Sequence, residues 1–295
     1  MANITESLID SFIPTIVAAE ALQTLKERKG LAKFVNIDYA ADIATRGDSV
    51  RVPFYGSLGT ADNKLPNTAF VNPSPSDTQV SIELDQHRYK RFLIEDTAKA
   101  KSQPNVMVGY LKEAMHSVLN DMETSIVTIA DTFSNNVVKT GAPAVSYEDI
   151  TKLRKTLVES KAPIDGPFIF AASVGDYQTL LVDNNISKAL DYGTPIVVQQ
   201  AKIPAVSGMG IFETQNVTNS FAMHRDAIAL AVRDLSLDGN GFGVNQRIIR
   251  DEEAGLSFRL TVGYDADQGG TFGNVELLYG ISLLRDELGV RLTGV

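Results

Sequence analysis

The chain of 295 residues contains no cysteine. That single absence excludes a disulfide framework, thiolate metal sites and thiol catalysis, and it is compatible with a reducing compartment. Long apolar runs are missing as well: no stretch of about eighteen apolar residues is present to span a membrane. The opening MANITESLIDSFIP lacks the basic n-region and apolar core of a signal peptide, so a soluble product, made and kept in the cytoplasm, is expected. Positive charge is scarce. Lys and Arg number 27 against 36 Asp and Glu, for a net charge of −9, which argues against a nucleic-acid-binding surface. The densest basic cluster, Lys26, Arg28 and Lys29, is interrupted by Glu27. His87, His116 and His224 stand apart in sequence and read as surface or satisfied core residues. Walker A, G-x-S-x-G and H-E-x-x-H patterns are all absent.

What the chain does have is apolar content, 44% of its residues, enough for the core of one large domain or two ordinary ones. The organising stretch is Pro104 to Lys139. At 100° per residue, Met107, Val108, Leu111, Met115, Val118, Leu119, Met122, Ile126, Ile129, Ala130, Phe133 and Val137 fall on one stripe. Lys112, Glu113, His116, Asn120, Glu123, Thr124, Asp131 and Ser134 lie opposite. One uninterrupted helix of about 50 Å is expected, opened by Pro104 and stopped by Gly141 and Pro143. Leu111, Met122 and Phe133 recur every eleven residues, which excludes a left-handed coiled coil, and charges at every turn exclude a membrane span. The stretch reads as a core helix lying on a sheet.

Before it, residues 14–29 read as a helix ended by Gly30, an arm that packs on the body or on a neighbour. The run from Asp48 to Tyr55 alternates as a strand, and Gln79 begins a second expected to run on to Ile94. Residues 56–78 between them have no periodicity and carry Gly56, Gly59, Pro66, Pro73 and Pro75. With Leu65, Phe70 and Val71 on offer, this segment reads as an extended loop lying over another subunit, with simple disorder as the alternative. After Gly141, Ser146 and Asp149 resemble a capping box, Pro167–Ser173 reads as a buried strand, and Ser173 caps a further helix. For Phe221–Arg233 the pattern does not decide between helix and strand. The end of the chain is β-rich: a strand around Phe258–Val262, a turn, a longer strand over NVELLYGISLLR, and a short one near Val290–Leu292.

The sharpest local motif for chemistry is Asp265-x-Asp267-x-Gly269-Gly270 with Glu276 at the twelfth position. It is close to a calcium loop, but Gly269 stands where Asp or Asn belongs and strands flank it. A hairpin tip needing positive φ explains the glycines equally well. Asp265, Asp267 and Glu276 are thus the weak metal candidates; no catalytic or cofactor-binding residues and no cofactor are expected. Gly208-Met-Gly210 and Gly239-Asn-Gly241-Phe-Gly243 read as turns. Asp85, Glu95 and Asp96 read as charged strand ends, and Lys64 as a solvated lysine with the alternative of a bond to a neighbour.

The order of these parts resembles the major capsid protein of tailed bacteriophages, the Hong Kong 97-type fold family. Four stretches carry the resemblance: Asn36-x-Asp38-Tyr39 after a helical arm; Gly47-Asp48-Ser49-Val50-Arg51-Val52-Pro53; His224-Arg225-Asp226-Ala227-Ile228-Ala229-Leu230-Ala231; and Tyr279-Gly280 followed by Arg285-Asp286-Glu287. Residues 201–211 depart from the family's G-x-x-x-G-F pattern. The resemblance implies an α+β fold with an N-terminal arm (1–34), a peripheral domain (35–55, 79–139 and 255–280), an extended loop (56–78) and an axial domain (140–254 and 281–295). It implies a structural, non-enzymatic virion protein, made in the host cytoplasm, that self-assembles as pentamers and hexamers into an icosahedral shell. That shell would enclose double-stranded DNA without sequence-specific binding, touch no membrane, and work with scaffolding, portal or decoration proteins. The lack of a scaffolding segment before the arm implies a separate scaffolding protein or its prior removal. An encapsulin-type compartment shell is the alternative within the fold, and an α/β enzyme built on Phe168–Val182 the alternative outside it.

Overall fold

The computed structural model describes residues 30–39, 49–55, 58, 60–70, 72, 74, 77–97, 106–164, 166–183, 186, 203, 205–237, 244–251 and 255–294. The arm helix expected over 14–29 lies outside them, as do Pro104 and Val71. Gly30 has φ +51° and opens a short 3-10 helix, Gly30–Phe34.

In chain order the elements are β1 (Ser49–Phe54), β2 (Thr78–Glu83), β3 (Gln86–Glu95), α1 (Val106–Ala130), β4 (Asn135–Val138), α2 (Tyr147–Glu159) and β5 (Phe168–Ala172). They continue with α3 (Val174–Val182), β6 (Met209–Glu213), β7 (Phe221–His224), β8 (Ile228–Arg233), β9 (Val244–Asp251), β10 (Leu256–Asp265), β11 (Gly270–Leu283) and β12 (Gly289–Thr293). They form three sheets. β1 and β2 make a two-stranded hairpin; β3-β11-β10-β9 make the larger sheet, with β8 pairing β11; β4-β12-β7-β5-β6 make the other.

α1 lies on the larger sheet. β10 and β11 alternate in burial along their length, as strands with one covered face must. Leu111, Met115, Met122 and Ile126 of α1 are buried against Phe258, Leu260, Val275, Leu277 and Tyr279. The Tyr279 hydroxyl, pulled under the helix, sits 3.2 Å from Ser125 Oγ and donates to Asp121 Oδ2 at 3.4 Å. Asp121 in turn pairs with Arg88 of β3 at 2.9 Å. The apolar stripe is therefore where it was expected, but the helix is shorter. It has 25 residues, about 37 Å at 1.5 Å each, and the single helix to Lys139 does not exist. The Thr132 hydroxyl donates to the Ile129 carbonyl and Ser134 N–H to Asp286 Oδ1 at 2.9 Å. These turn the chain so that the β-branched pair Val137–Val138 joins β12 as a parallel strand. Phe133, third in the eleven-residue series, is buried beyond the helix end against Phe221.

The expected run from Gln79 to Ile94 is also two strands. Leu84 and Asp85 break it, so β2 pairs β1 from Thr78↔Phe54 to Glu83↔Ser49 while β3 pairs β11. β3 occupies an edge, and His87, Arg88, Tyr89, Lys90 and Arg91 are exposed along it. This denser basic run was missed in the sequence, and its charges blunt an otherwise open edge.

In the second sheet β5 is buried throughout. Asp149, at the start of α2, is fully buried and serves as a knot. Its Oδ1 accepts from Thr140 N–H and Oγ1, and its Oδ2 from Ser146 N–H and Oγ, at 2.6–3.0 Å. Burial alone would raise this carboxyl; the four donors outweigh it and hold it below the usual carboxylate range. Ser173 caps α3 by accepting from Asp176 N–H at 3.3 Å. The undecided segment Phe221–Arg233 is strand, one turn, strand: β7 in one sheet, Arg225–Ala227 as a 3-10 turn, β8 in the other. β4 joins the sheet of β12, β7, β5 and β6, and β8 and β9 join that of β10 and β11. No described helix is long and apolar enough to cross a membrane.

Candidate functional site: the junction between the sheets

Three connections cross from one large sheet to the other: Arg225–Ala227, residues 284–288, and the turn after α1. They are tied together. The Ala227 carbonyl accepts from both Leu284 N–H at 2.9 Å and Arg285 N–H at 3.2 Å. Asn135 Nδ2 donates to the carbonyls of Glu287 and Gly289 at 3.3 and 3.2 Å. The N-terminal segment is locked onto the same place. Asn36 bridges β8, its N–H donating to Ile228 O at 2.9 Å and its carbonyl accepting from Leu230 N–H at 2.8 Å. Its side chain donates to Asp226 Oδ1 at 2.8 Å and accepts from Asp38 N–H at 2.9 Å. Asp38 accepts from Arg225 at 2.8 Å, an exposed pair that orients more than it stabilises.

The β1–β2 hairpin grips the junction from the side. Val52 and Ile82 pack with Ala229, Ala231 and Leu284 in a small second core, and the Arg285 guanidinium lies 5.7 Å from the centre of the Phe54 ring. Gly280 is needed here: a Cβ at this position would meet the backbone oxygen of Glu83 at 2.0 Å. The Tyr279-Gly280 pair therefore has two jobs on adjacent residues, anchoring α1 on one face of β11 and passing the hairpin backbone on the other.

From this base the hairpin carries a loop whose described apolar side chains face solvent: Tyr55 is 84% exposed, Leu58 65%, Leu65 57% and Phe70 79%. The tip has local order. Thr68 Oγ1 and N–H both donate to Leu65 O, at 2.8 and 3.3 Å, and Lys64 Nζ sits 5.0 Å from the Phe70 ring centre. Lys64 is exposed and also contacts its own loop.

The calcium-loop candidates are not brought together within one chain. Asp265 and Asp267 lie at the β10–β11 tip, where Gly269 has φ +58° as a hairpin turn requires. Asp265 Oδ2 accepts from Arg91 at 2.9 Å and its Oδ1 from the N–H groups of Asp267 and Gln268. Glu276 sits six residues into β11, about 20 Å from the tip at the usual strand rise, held by Arg259 opposite and by Asn274. Among the described residues no group of three or more His, Asp or Glu side chains is placed to hold a metal. His87 is exposed, His116 half-buried and His224 buried; Asp85 and Glu95 lie at opposite ends of β3.

No protein-family model and no curated protein sequence matches the chain. Solved structures do. A protein of Mycobacterium phage Che8 superposes with a TM-score of 0.68 at 17% identity, covering 88% of this chain and 89% of that one. The capsid structure of cyanophage P-SCSP1u gives 0.61 at 14%, covering 85% and 84%. The virus-like particle of Pyrococcus furiosus gives 0.56 at 14%, covering 95% and 98%. The fold is the Hong Kong 97-type α+β fold of capsid proteins. In that fold the four sequence stretches that suggested it have one physical meaning. Asn36 and Asp38, Val50 and Val52, Arg225 and Asp226, and Gly280 with Arg285 and Asp286 meet at the junction. Their contacts span up to 190 positions, and nothing in the linear pattern pairs them.

Proposed function

We propose that the chain is a major capsid protein whose copies assemble, as pentamers and hexamers, into an icosahedral shell enclosing double-stranded phage DNA. The observation that carries this is the hairpin. A protein with the fold of capsid structures carries on this hairpin a loop in which Leu65 and Phe70 are exposed, and solvent is a poor partner for both. On this reading the sheet of β3, β11, β10 and β9 with α1 forms the peripheral domain, and the sheet of β4, β12, β7, β5 and β6 the axial domain. The loop overlaps the adjacent subunit. The net charge of −9 suits a wall that must not bind the packed polyanion tightly. The protein acts without catalysis, is made in the host cytoplasm and resides in the virion, with scaffolding, portal or decoration proteins as its other partners. An encapsulin-type compartment is the second reading, favoured by the near-complete coverage of the Pyrococcus furiosus particle; nucleic acid rather than a packaged enzyme inside purified particles decides against it.

The test is the double variant Leu65→Ser, Phe70→Ser. Both side chains are exposed in the subunit, so folding should survive within about 0.5 kcal/mol. Sedimentation should then show subunits or capsomers and no shells. Shells in normal yield would refute the overlap role of the loop.

A further inference from the structure

We propose that His224 is a protonation-operated latch: an imidazolium at this position draws the Asp226 carboxylate off Asn36 and loosens residues 30–39 from β8. The geometry is specific. The His224 side chain is 5% exposed, wedged edge-on against Phe168 with ring centres 5.6 Å apart. Gly166 closes the other side, where a Cβ would lie 2.3 Å from Nε2. Nδ1 accepts the Asp226 backbone N–H at 3.2 Å, which requires an unprotonated Nδ1 and therefore the Nε2–H tautomer. Asp226 Oδ2 stands 3.6 Å from Nδ1, just outside hydrogen-bond range, while Oδ1 holds Asn36.

A second proton, taken from solvent, must go on Nδ1. There it faces an N–H donor, and the present hydrogen bond becomes a donor–donor contact. The carboxylate of Asp226 is the adjacent acceptor, and turning it inward to close the gap removes Oδ1 from Asn36 Nδ2. Asn36 then keeps only the Asp38 N–H of the two contacts that orient its side chain, which weakens the support for its two backbone bonds to β8. The remaining charges around the ring are those of Arg225 on the same turn, Arg285 from the β11–β12 connection, and Arg154 of α2, whose guanidinium lies over Phe168 at 6.0 Å. Arg225 is partnered by Asp38 and Arg285 by Glu287. Burial, aided by Arg285 and Arg225 and opposed by Asp226, holds the imidazole below its ordinary value. The neutral state therefore prevails near neutrality, and its contribution to stability declines as pH falls below the ordinary histidine value toward the depressed one.

Hydrogen–deuterium exchange on the full chain tests this, with intrinsic rates corrected between about pH 7.5 and about pH 5. In the wild type, protection of peptides covering 30–39 should fall about 10-fold or more at the lower pH, while peptides from α2 hold theirs. His224→Gln cannot take the proton and should show no such fall. A wild type without the change, a His224→Gln protein that retains it, or an equal loss in α2 would each overturn the latch. Asp226→Asn supplies an independent arm should His224→Gln not fold: with no carboxylate for the imidazolium to draw off Asn36, protection of 30–39 should be nearly the same at both pH values, and a fall as large as that of the wild type overturns the proposal. None of these outcomes depends on shell formation.

Discussion

Gly280→Ala should separate the loop's position from the rest of the fold. The added Cβ meets Glu83 O at 2.0 Å, Glu83 C at 2.8 Å and Leu84 Cα at 3.3 Å, all backbone. No rotamer change relieves it, so the end of β2 must retreat by about 1.4 Å to reach ordinary van der Waals separation. β11 itself cannot yield easily, because β3 holds its residues 270–279 on one side and β10 and β8 hold the other. The strain therefore falls on the hairpin, whose packing of Val52 and Ile82 on Ala229 and Leu284 opens. Overpacking of this kind costs about 1–3 kcal/mol, or a fall in Tm of about 2–5 °C for a chain of this size. Circular dichroism should show a folded protein with that shift, and electron microscopy should show few or no closed shells, because the loop departs from a displaced base. A Gly280→Ala protein with wild-type Tm and normal shells would refute the close crossing of β2 over β11.

Met122→Asp buries a carboxylate in a fully enclosed position of α1, and should leave the chain insoluble or unfolded; soluble protein with native circular dichroism would contradict the packing of the helix on its sheet. Asp149→Asn turns an amide donor toward the donors that Asp149 now satisfies and should cost about 1–3 kcal/mol in urea unfolding near neutrality. Because the Asp149 carboxyl lies below its usual value, its contribution is present above that value and lost as pH falls through the depressed one. The wild-type advantage over Asp149→Asn should therefore shrink below about pH 4, and a constant gap would argue against the knot. Glu123 accepts from Leu31 N–H at 3.0 Å and from Asn216 Nδ2 at 2.6 Å. Glu123→Ala should cost about 1–2 kcal/mol and speed amide exchange at Leu31; unchanged exchange would remove Glu123 as the clamp of the N-terminal segment.

The elements legible in the sequence were those whose pattern is local. The stripe of α1 follows from a 3.6-residue period, β1 and β10 from strict alternation, and the caps at Ser146 and Ser173 from short polar spacing. The end of α1 was not legible, because Phe133 and Val137 continue its stripe and are buried. They are buried by Phe221 and the strands of another sheet, and periodicity cannot tell which neighbour covers an apolar residue. The break at Leu84 and Asp85 was not legible because no Gly or Pro marks it, and the change of partner strand there leaves no local signal. At the junction, the residues were visible as motifs and their partnerships were not. Asp226 is one charged residue among many until Asn36 and His224 are placed on either side of it. Lys64 is exposed, as read, and its contacts within its own loop have no signal in the sequence; the His87–Arg91 run, plain in the sequence, acquires meaning only as an exposed sheet edge.

The central claim is assembly, and negative-stain electron microscopy of the purified full-length protein, with or without a co-expressed scaffolding partner, addresses it most directly. The account predicts closed icosahedral shells tens of nanometres across, with wall units of five- and six-fold clusters. Monomers or small oligomers that never close under any of these conditions would contradict it.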